Sequence, residues 1–294
     1  MKKLFYISLA LSFFFASCSK EAGDGLTETV VVNLCPEIPG MMATRAVNDL
    51  TVNKLVCAVF DEDQEIVVSE TIAITDPADI HFSPRLIKGR TYDVVFWAMK
   101  EGSYNVDNLS QIYRVEGKPE VDYDAFTATT KITVESSETI GVTLTRPLAQ
   151  LNIGVTEEDW NAVVALGQTP ASTSISYESY DAFNALTGGL LMRNYGSITR
   201  TAPASGTFDV GSTTYMSLGS FYVFVDGTTE TSLSDIKFTI KDGSENVIRS
   251  DVQIVHVPIQ RNYKTNIVGG LLTGTITYNI SLDEFADQDK NQTL

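Results

Sequence analysis

Leu55-Val56-Cys57-Ala58-Val59-Phe60, then Asp61-Glu62-Asp63, then Glu65-Ile66-Val67-Val68 reads as strand, tight turn, strand. Residues 236–240 (IKFTI), then Asp242-Gly243-Ser244, then 246–248 (NVI) repeat that layout. Asp-Gly favours the positive φ values of a two-residue hairpin. Downstream of each comes an Arg-x-Tyr that opens another strand: Arg90-Thr91-Tyr92 and Arg261-Asn262-Tyr263. A tyrosine entering a strand, with its ring inward and its hydroxyl on nearby backbone, is a recurrent corner of β-sandwiches. Tyr92 and Tyr263 are therefore expected at equivalent corners of two like domains. The same order in both halves points to a duplicated β unit.

The first copy is expected to close with a hairpin of 131–134 (KITV) and 139–144 (TIGVTL). Arg146-Pro147 breaks the pattern, and Leu148–Val155 (LAQLNIGV) starts a new strand. This predicts domains over 27–145 and 146–294, each long enough for a sandwich of about seven strands. Composition agrees. Thr, Val and Ile supply 80 of the 294 residues, and β-branched side chains suit a pleated, half-buried surface.

Helix is expected only in the second domain. Thr156-Glu157-Glu158-Asp159 has capping-box form, with Trp160, Val163, Val164 and Leu166 as the apolar face behind it. Residues 179–186 (SYDAFNAL), stopped by Gly188-Gly189, form a second short candidate.

The first 17 residues have the form of an export signal. Lys2 and Lys3 precede an apolar run of 13 residues, too short to span a bilayer about 30 Å thick. Phe15-Ala16-Ser17-Cys18 resembles a bacterial lipobox, which would lipidate Cys18 and anchor the protein in a membrane. Residues 18–29 then form a polar tether whose Ser-Lys-Glu start resembles a signal for the outer face of diderm cells. Cys35 and Cys57 both lie in apolar runs, and spacing leaves open whether they are bridged or are small buried hydrophobes.

The search for chemistry finds little. A net charge of −16 argues against nucleic acid, which needs a basic stripe. No nucleophile elbow, phosphate loop or zinc spacing is present, so no enzyme activity, cofactor or metal is expected. Asp61 to Glu65 concentrates acid but lacks the glycine and distal glutamate of an EF-hand, and reads as a solvated hairpin tip. Glu157-Glu158-Asp159 reads as a helix-dipole cap rather than a carboxylate pair, because adjacent helical residues diverge. His81 and His256 are expected as strand residues with satisfied hydrogen bonds. Tyr104, Tyr113, Tyr123, Tyr177, Tyr180 and Tyr195 stand in polar contexts, where exposed rings would suit a sugar-binding surface.

With the lipobox and the duplicated pattern, four phrases resemble the fimbrillin family, the type V pilus subunits of diderm bacteria. They are Asp124-Ala125-Phe126-Thr127, Arg146-Pro147-Leu148-Ala149-Gln150-Leu151, Phe183-Asn184-Ala185-Leu186-Thr187-Gly188, and Val257-Pro258-Ile259-Gln260-Arg261-Asn262-Tyr263 leading to Gly270-Leu271-Leu272-Thr273. The resemblance implies an all-β protein of two transthyretin-like (Ig-like) sandwich domains, exported as a lipoprotein precursor to the outer membrane and cell surface. It further implies proteolytic processing after an arginine in the loop past the first strand, here Arg45 before Ala46. Removing that strand would open a groove for a strand of the next pilin-like subunit, in a fimbrium acting in adhesion. Val30, Val32 and Leu34 alternate with Val31 and Asn33, as a strand pairing into the first domain would, and Pro36-Glu37-Ile38-Pro39-Gly40 reads as loop. The polar tail after Leu282 makes a poor donor, leaving only 275–282 (TITYNISL) for that role. The alternative is a non-polymerising glycan-binding surface lipoprotein, with a host or microbial receptor or glycan as partner.

Overall fold

The computed structural model describes residues 27–39, 52–192 and 197–285. The first half contains β1 (Thr29–Glu37), β2 (Lys54–Phe60), β3 (Ile66–Ala73), β4 (Arg85–Ile87), β5 (Thr91–Met99), β6 (Tyr104–Asn105), β7 (Ile112–Arg114), β8 (Ala125–Thr133) and β9 (Glu138–Thr143). The second half opens with β10 (Leu148–Val155), α1 (Glu157–Val164), β11 (Pro170–Glu178), β12 (Ala182–Phe183), β13 (Leu190–Leu191) and β14 (Ser197–Pro203). It continues with β15 (Thr207–Val210), β16 (Thr213–Phe224), β17 (Thr231–Asp242), β18 (Val247–Ile259), β19 (Tyr263–Gly270) and β20 (Thr277–Glu284). The all-β sandwich class read from the sequence is the class observed.

Strand pairing is duplicated. β1 pairs antiparallel with β4 and parallel with β9; β10 pairs antiparallel with β16 and parallel with β19. Opposite these lie sheets of order β3-β2-β5-β8 and β14-β11-β17-β18. One hydrophobic core fills the space between the first pair of sheets, around Leu34, Phe82 and Phe96. A second fills the other pair, around Ile153, Phe221 and Phe238. The second half adds β15 and β20 at the two edges of its five-stranded sheet.

The duplication does not run where the hairpins were matched. β2–β3 is the first hairpin of its half, whereas β17–β18 is built from the strands equivalent to β5 and β8. The two turns are nonetheless alike. Asp61 Oδ1 accepts from the amides of Asp63 and Glu65, and Asp242 Oδ1 from those of Ser244 and Asn246. The left-handed residue is Gln64 in one and Glu245 in the other, both at φ 64°, so Gly243 is not the one that needs positive φ. The expected hairpin of 131–134 with 139–144 is absent. β8 joins β5 and β9 joins β1, so the chain crosses between sheets there.

A third apolar cluster joins the halves. The outward side chains of β2 and β5, including Val56, Phe60, Val95 and Trp97, meet Leu148, Phe183, Tyr222 and Phe224. β12 pairs with β7, so residues from both halves share a small sheet, β13-β12-β7-β6. This explains why β2 and β5 are apolar almost without interruption: both of their faces are covered.

Helix α1 forms as expected, with Thr156 Oγ1 accepting from the Asp159 amide at 3.2 Å. Val163 is buried, but Leu166 is 74% exposed and Val164 37%, so the apolar face is narrower than predicted. Residues 179–186 are not helical. Phe183 is fully buried in β12, and Asn184 Oδ1 caps a turn by accepting from the amides of Leu186 and Thr187.

Candidate functional site: the first strand and its partners

β1 is the middle strand of its sheet, and neither neighbour is close in sequence. Val32 and Leu34 donate their amides to Pro84 and Phe82 carbonyls at 3.1 and 2.8 Å, and Phe82 returns a bond to Leu34 at 2.9 Å. On the opposite side, Leu144 donates to the Glu37 carbonyl at 2.8 Å. Lys88 pairs with Glu28 at 3.0 Å near the start of the strand. Val32, Leu34 and Ile38 are fully buried, and each contributes roughly 1.5–3 kcal/mol of apolar burial.

The predicted alternation thus holds, but the strand runs to Glu37 and takes in Pro36. Pro36 shares parity with Val32 and Leu34, whose amides point toward the β4 side. That ladder ends at the bridge between Leu34 and Phe82, so the missing proline donor falls where no partner strand remains.

Cys18, Arg45 and Ala46 lie outside the described residues. Cys35 and Cys57 are free thiols. Cys57 faces the core, where burial, and secondarily Glu70, pushes its thiol well above the usual range.

The two corner tyrosines occupy different environments. Tyr92 is buried in β5, and its hydroxyl accepts from the Ile87 amide at 3.3 Å. Tyr263 is half-buried at the start of β19. β5 has its counterpart in β17 and β19 has its counterpart in β9, so the pair does not sit at equivalent corners. In the second motif the arginine makes the anchoring contacts. Arg261 donates to the carbonyls of Val225 and Gly188 and lies over the Phe183 ring at 5.2 Å.

The supposed aromatic surface is largely interior. Tyr104, Tyr123 and Tyr177 are at most 4% exposed, Tyr113 is half-buried, and Tyr180 is 45% exposed. Tyr195 lies outside the described residues. Tyr104 donates to the Tyr123 carbonyl and packs edge-on against Trp97, so its ring is not available to stack on a sugar. His81 and His256 are both exposed, the latter at φ 54° in β18. Among the described residues no group of three or more His, Cys, Asp or Glu could hold a metal ion. Among them, too, no helix is long and apolar enough to cross a membrane.

Two buried ion pairs, which sequence spacing did not signal, hold the junction of the halves. Arg114 pairs with Glu120 at 3.3 Å and also donates to the Tyr222 carbonyl, while Glu120 accepts from the Tyr222 amide at 3.4 Å. Burial pushes the Glu120 carboxyl up, against the pull of Arg114. The second pair is Arg146 with Asp124.

The chain is a double β-sandwich whose N-terminal strand is central in its sheet and is paired only with strands distant in sequence. A candidate adhesin of Bacteroides thetaiotaomicron matches at TM-score 0.52 and 14% identity, over 87% of this chain and 97% of that one. A candidate polysaccharide-binding protein of the same species matches at TM-score 0.51 and 9% identity, over 89% and 100%. The fimbrial anchor protein Mfa2 of Porphyromonas gingivalis matches at TM-score 0.46 and 11% identity, over 87% and 98%. No curated protein matches the chain. By sequence the chain belongs to the family of unknown function DUF6562, whose model matches residues 24–294.

Proposed function

We propose that the protein is a surface-anchored, fimbrillin-like adhesin, a fimbrial subunit or an anchor or tip relative, that assembles by β-strand addition. The observation carrying this reading is the position of β1, central in its sheet and connected to β2 only through residues 38–53. That connection contains Arg45-Ala46, so one cut there separates β1 covalently from the rest. Departure of β1 would leave a groove between β4 and β9 edged by Phe82, Leu86, Val142 and Leu144, all part of the first core. An extended strand from another subunit would restore the ladder and refill the pockets of Val32 and Leu34. The solved candidate adhesin of Bacteroides thetaiotaomicron supports the reading. Anchoring would be by acyl chains on Cys18, at about 0.8 kcal/mol per buried CH₂. Residues 27–145 and 146–294 are taken as the two domains.

The test is to treat the purified chain with a trypsin-like protease and read the new N-terminus by mass spectrometry. Cleavage giving Ala46, followed by detergent-resistant ladders that Arg45→Ala abolishes, supports strand addition. An intact 45–46 bond under conditions that cut elsewhere, or a cleaved product that stays monomeric, overturns it. Separately, Cys18→Ser should remove labelling by a fatty-acid probe in cells.

A further inference from the structure

On the outward face of β1, one cluster brings a nucleophile, a base and an orienting acid together. Cys35 Sγ lies 3.4 Å from His81 Nδ1, and His81 Nε2 lies 2.8 Å from Asp79 Oδ1. The three come from β1 and from the loop before β4, which is turned by Asp76. Asp76 accepts from the amides of Ala78, at 2.9 Å, and Asp79, at 3.2 Å. A carboxylate only accepts, so the Nε2 proton is directed at Asp79 and Nδ1 is left as an acceptor facing the thiol. Thiol, imidazole and carboxylate in that order form the general arrangement that activates a cysteine.

Access is the second requirement, and it rests on a separate observation. Cys35 has odd parity in β1, so its side chain leaves on the face opposite buried Val32 and Leu34. Its neighbour across the parallel ladder is Gly141. Gly141 has no side chain, and a Cβ there would meet nothing within 4 Å, so β9 places no side chain at the position opposite the half-buried Cys35. His81 and Asp79 are themselves solvent-exposed, with side chains 60% and 74% accessible. Cys57, fully buried, has neither a base nor a path.

We propose that Cys35 is a reactive modification site that exchanges with small-molecule disulfides and carries the resulting mixed disulfide on the outer face of β1. His81 takes the thiol proton, and the Cys35 thiolate attacks one sulfur of R–S–S–R. A bond forms between Cys35 Sγ and the attacked sulfur, the S–S bond of the reagent breaks, the other R–S group leaves as thiolate, and the proton passes to it or to water. No external oxidant is needed, because the incoming disulfide is the species reduced. The adduct projects away from the core, so the fold accommodates it. The site belongs to the chain that retains β1, because departure of that strand would carry Cys35 away from His81 and Asp79.

The test uses the full chain carrying Cys18→Ser, so that only Cys35 and Cys57 can react. Mixed with an aromatic disulfide that releases a coloured thiolate, the folded protein should release one equivalent rapidly and the second only on denaturation. Cys35→Ala should remove the fast equivalent. His81→Gln, a surface change checked for folding by circular dichroism, should slow the fast phase about tenfold at neutral pH. Gly141→Val, which adds a branched side chain at the ladder position opposite Cys35, should also slow it. A fast phase that persists in Cys35→Ala, its absence from the parent, or an unchanged rate in His81→Gln overturns the proposal.

Discussion

Arg146 grips the Asp124 carboxylate through Nε and Nη2 at 2.8 and 3.0 Å, while its guanidinium lies between the rings of Phe126 and Phe285 at 4.3 and 4.1 Å. The pair joins the segment before β8 to the link between β9 and β10, and Phe285 follows β20. It therefore locks the first half against the last strand of the second. Arg146→Ala would strand a carboxylate that is only 1% exposed, at a cost of about 3–5 kcal/mol. Urea unfolding should show that loss. Arg146→Lys should recover only part of it, because an ammonium cannot supply the two-pronged contact.

Asp159 holds the chain beyond β19 to helix α1. Its oxygens accept from the amides of Leu271, Leu272 and Thr273 at 2.8, 2.7 and 3.0 Å, and from the Thr273 hydroxyl at 2.5 Å. Asp159→Asn replaces one acceptor with a donor facing those N–H groups. The expected cost is about 1–3 kcal/mol. Hydrogen exchange should accelerate first at Leu271 and Leu272.

Gly269 is the point of closest approach between β19 and β20. A Cβ there would lie 2.1 Å from the Thr277 carbonyl oxygen, which is backbone and cannot rotate away. Gly269→Ala should therefore push β20 off its edge while both cores persist. Limited proteolysis should then remove the chain after Leu272 far faster than in the parent, with little change in the main unfolding transition.

At the β17–β18 turn, hydrogen bonds from the Asn246 side chain and amide, with a further one from Ser244, hold the Asp242 carboxyl below its ordinary value of 3.8. A carboxyl depressed in the folded state contributes stability in full above that value, and loses it as pH falls through the folded pKa. The turn should thus stay closed at neutral pH and loosen only in strong acid. The amide shifts of Ser244 and Asn246 report this, with an expected midpoint below 3.8. Asp242→Ala should abolish the titration.

Local signals were legible where one element's own residues decide its form. The Thr156 cap predicts the start of α1, and the 30–34 alternation predicts which face of β1 is buried. Asp61 and Asp242 each build their turn from bonds to residues two and four further on, which local sequence can encode. The same local reading misled at Phe183. The pattern 179–186 suits a helix, but pairing with β7 and stacking on Phe224 at 5.8 Å outweigh that weak preference.

By itself, then, the sequence determined the all-β class and the strand character of the N-terminal segment. β-branched content, alternation and turn chemistry act over a few residues and need no distant partner. Only the tertiary structure decided which strands are counterparts, because ladder partners are selected by shared burial across long separations that leave no local trace. Tyr92 and Tyr263 share a local motif yet fall on non-equivalent strands for that reason. Likewise Tyr104 and Tyr123 read as surface residues until the second half covers the outer face of β2 and β5 and draws them inside, while Tyr177 is buried in the second half's own core. Cys35 and His81, separated by 46 positions, meet only because the residue beside each, Leu34 and Phe82, forms the bridge between their segments.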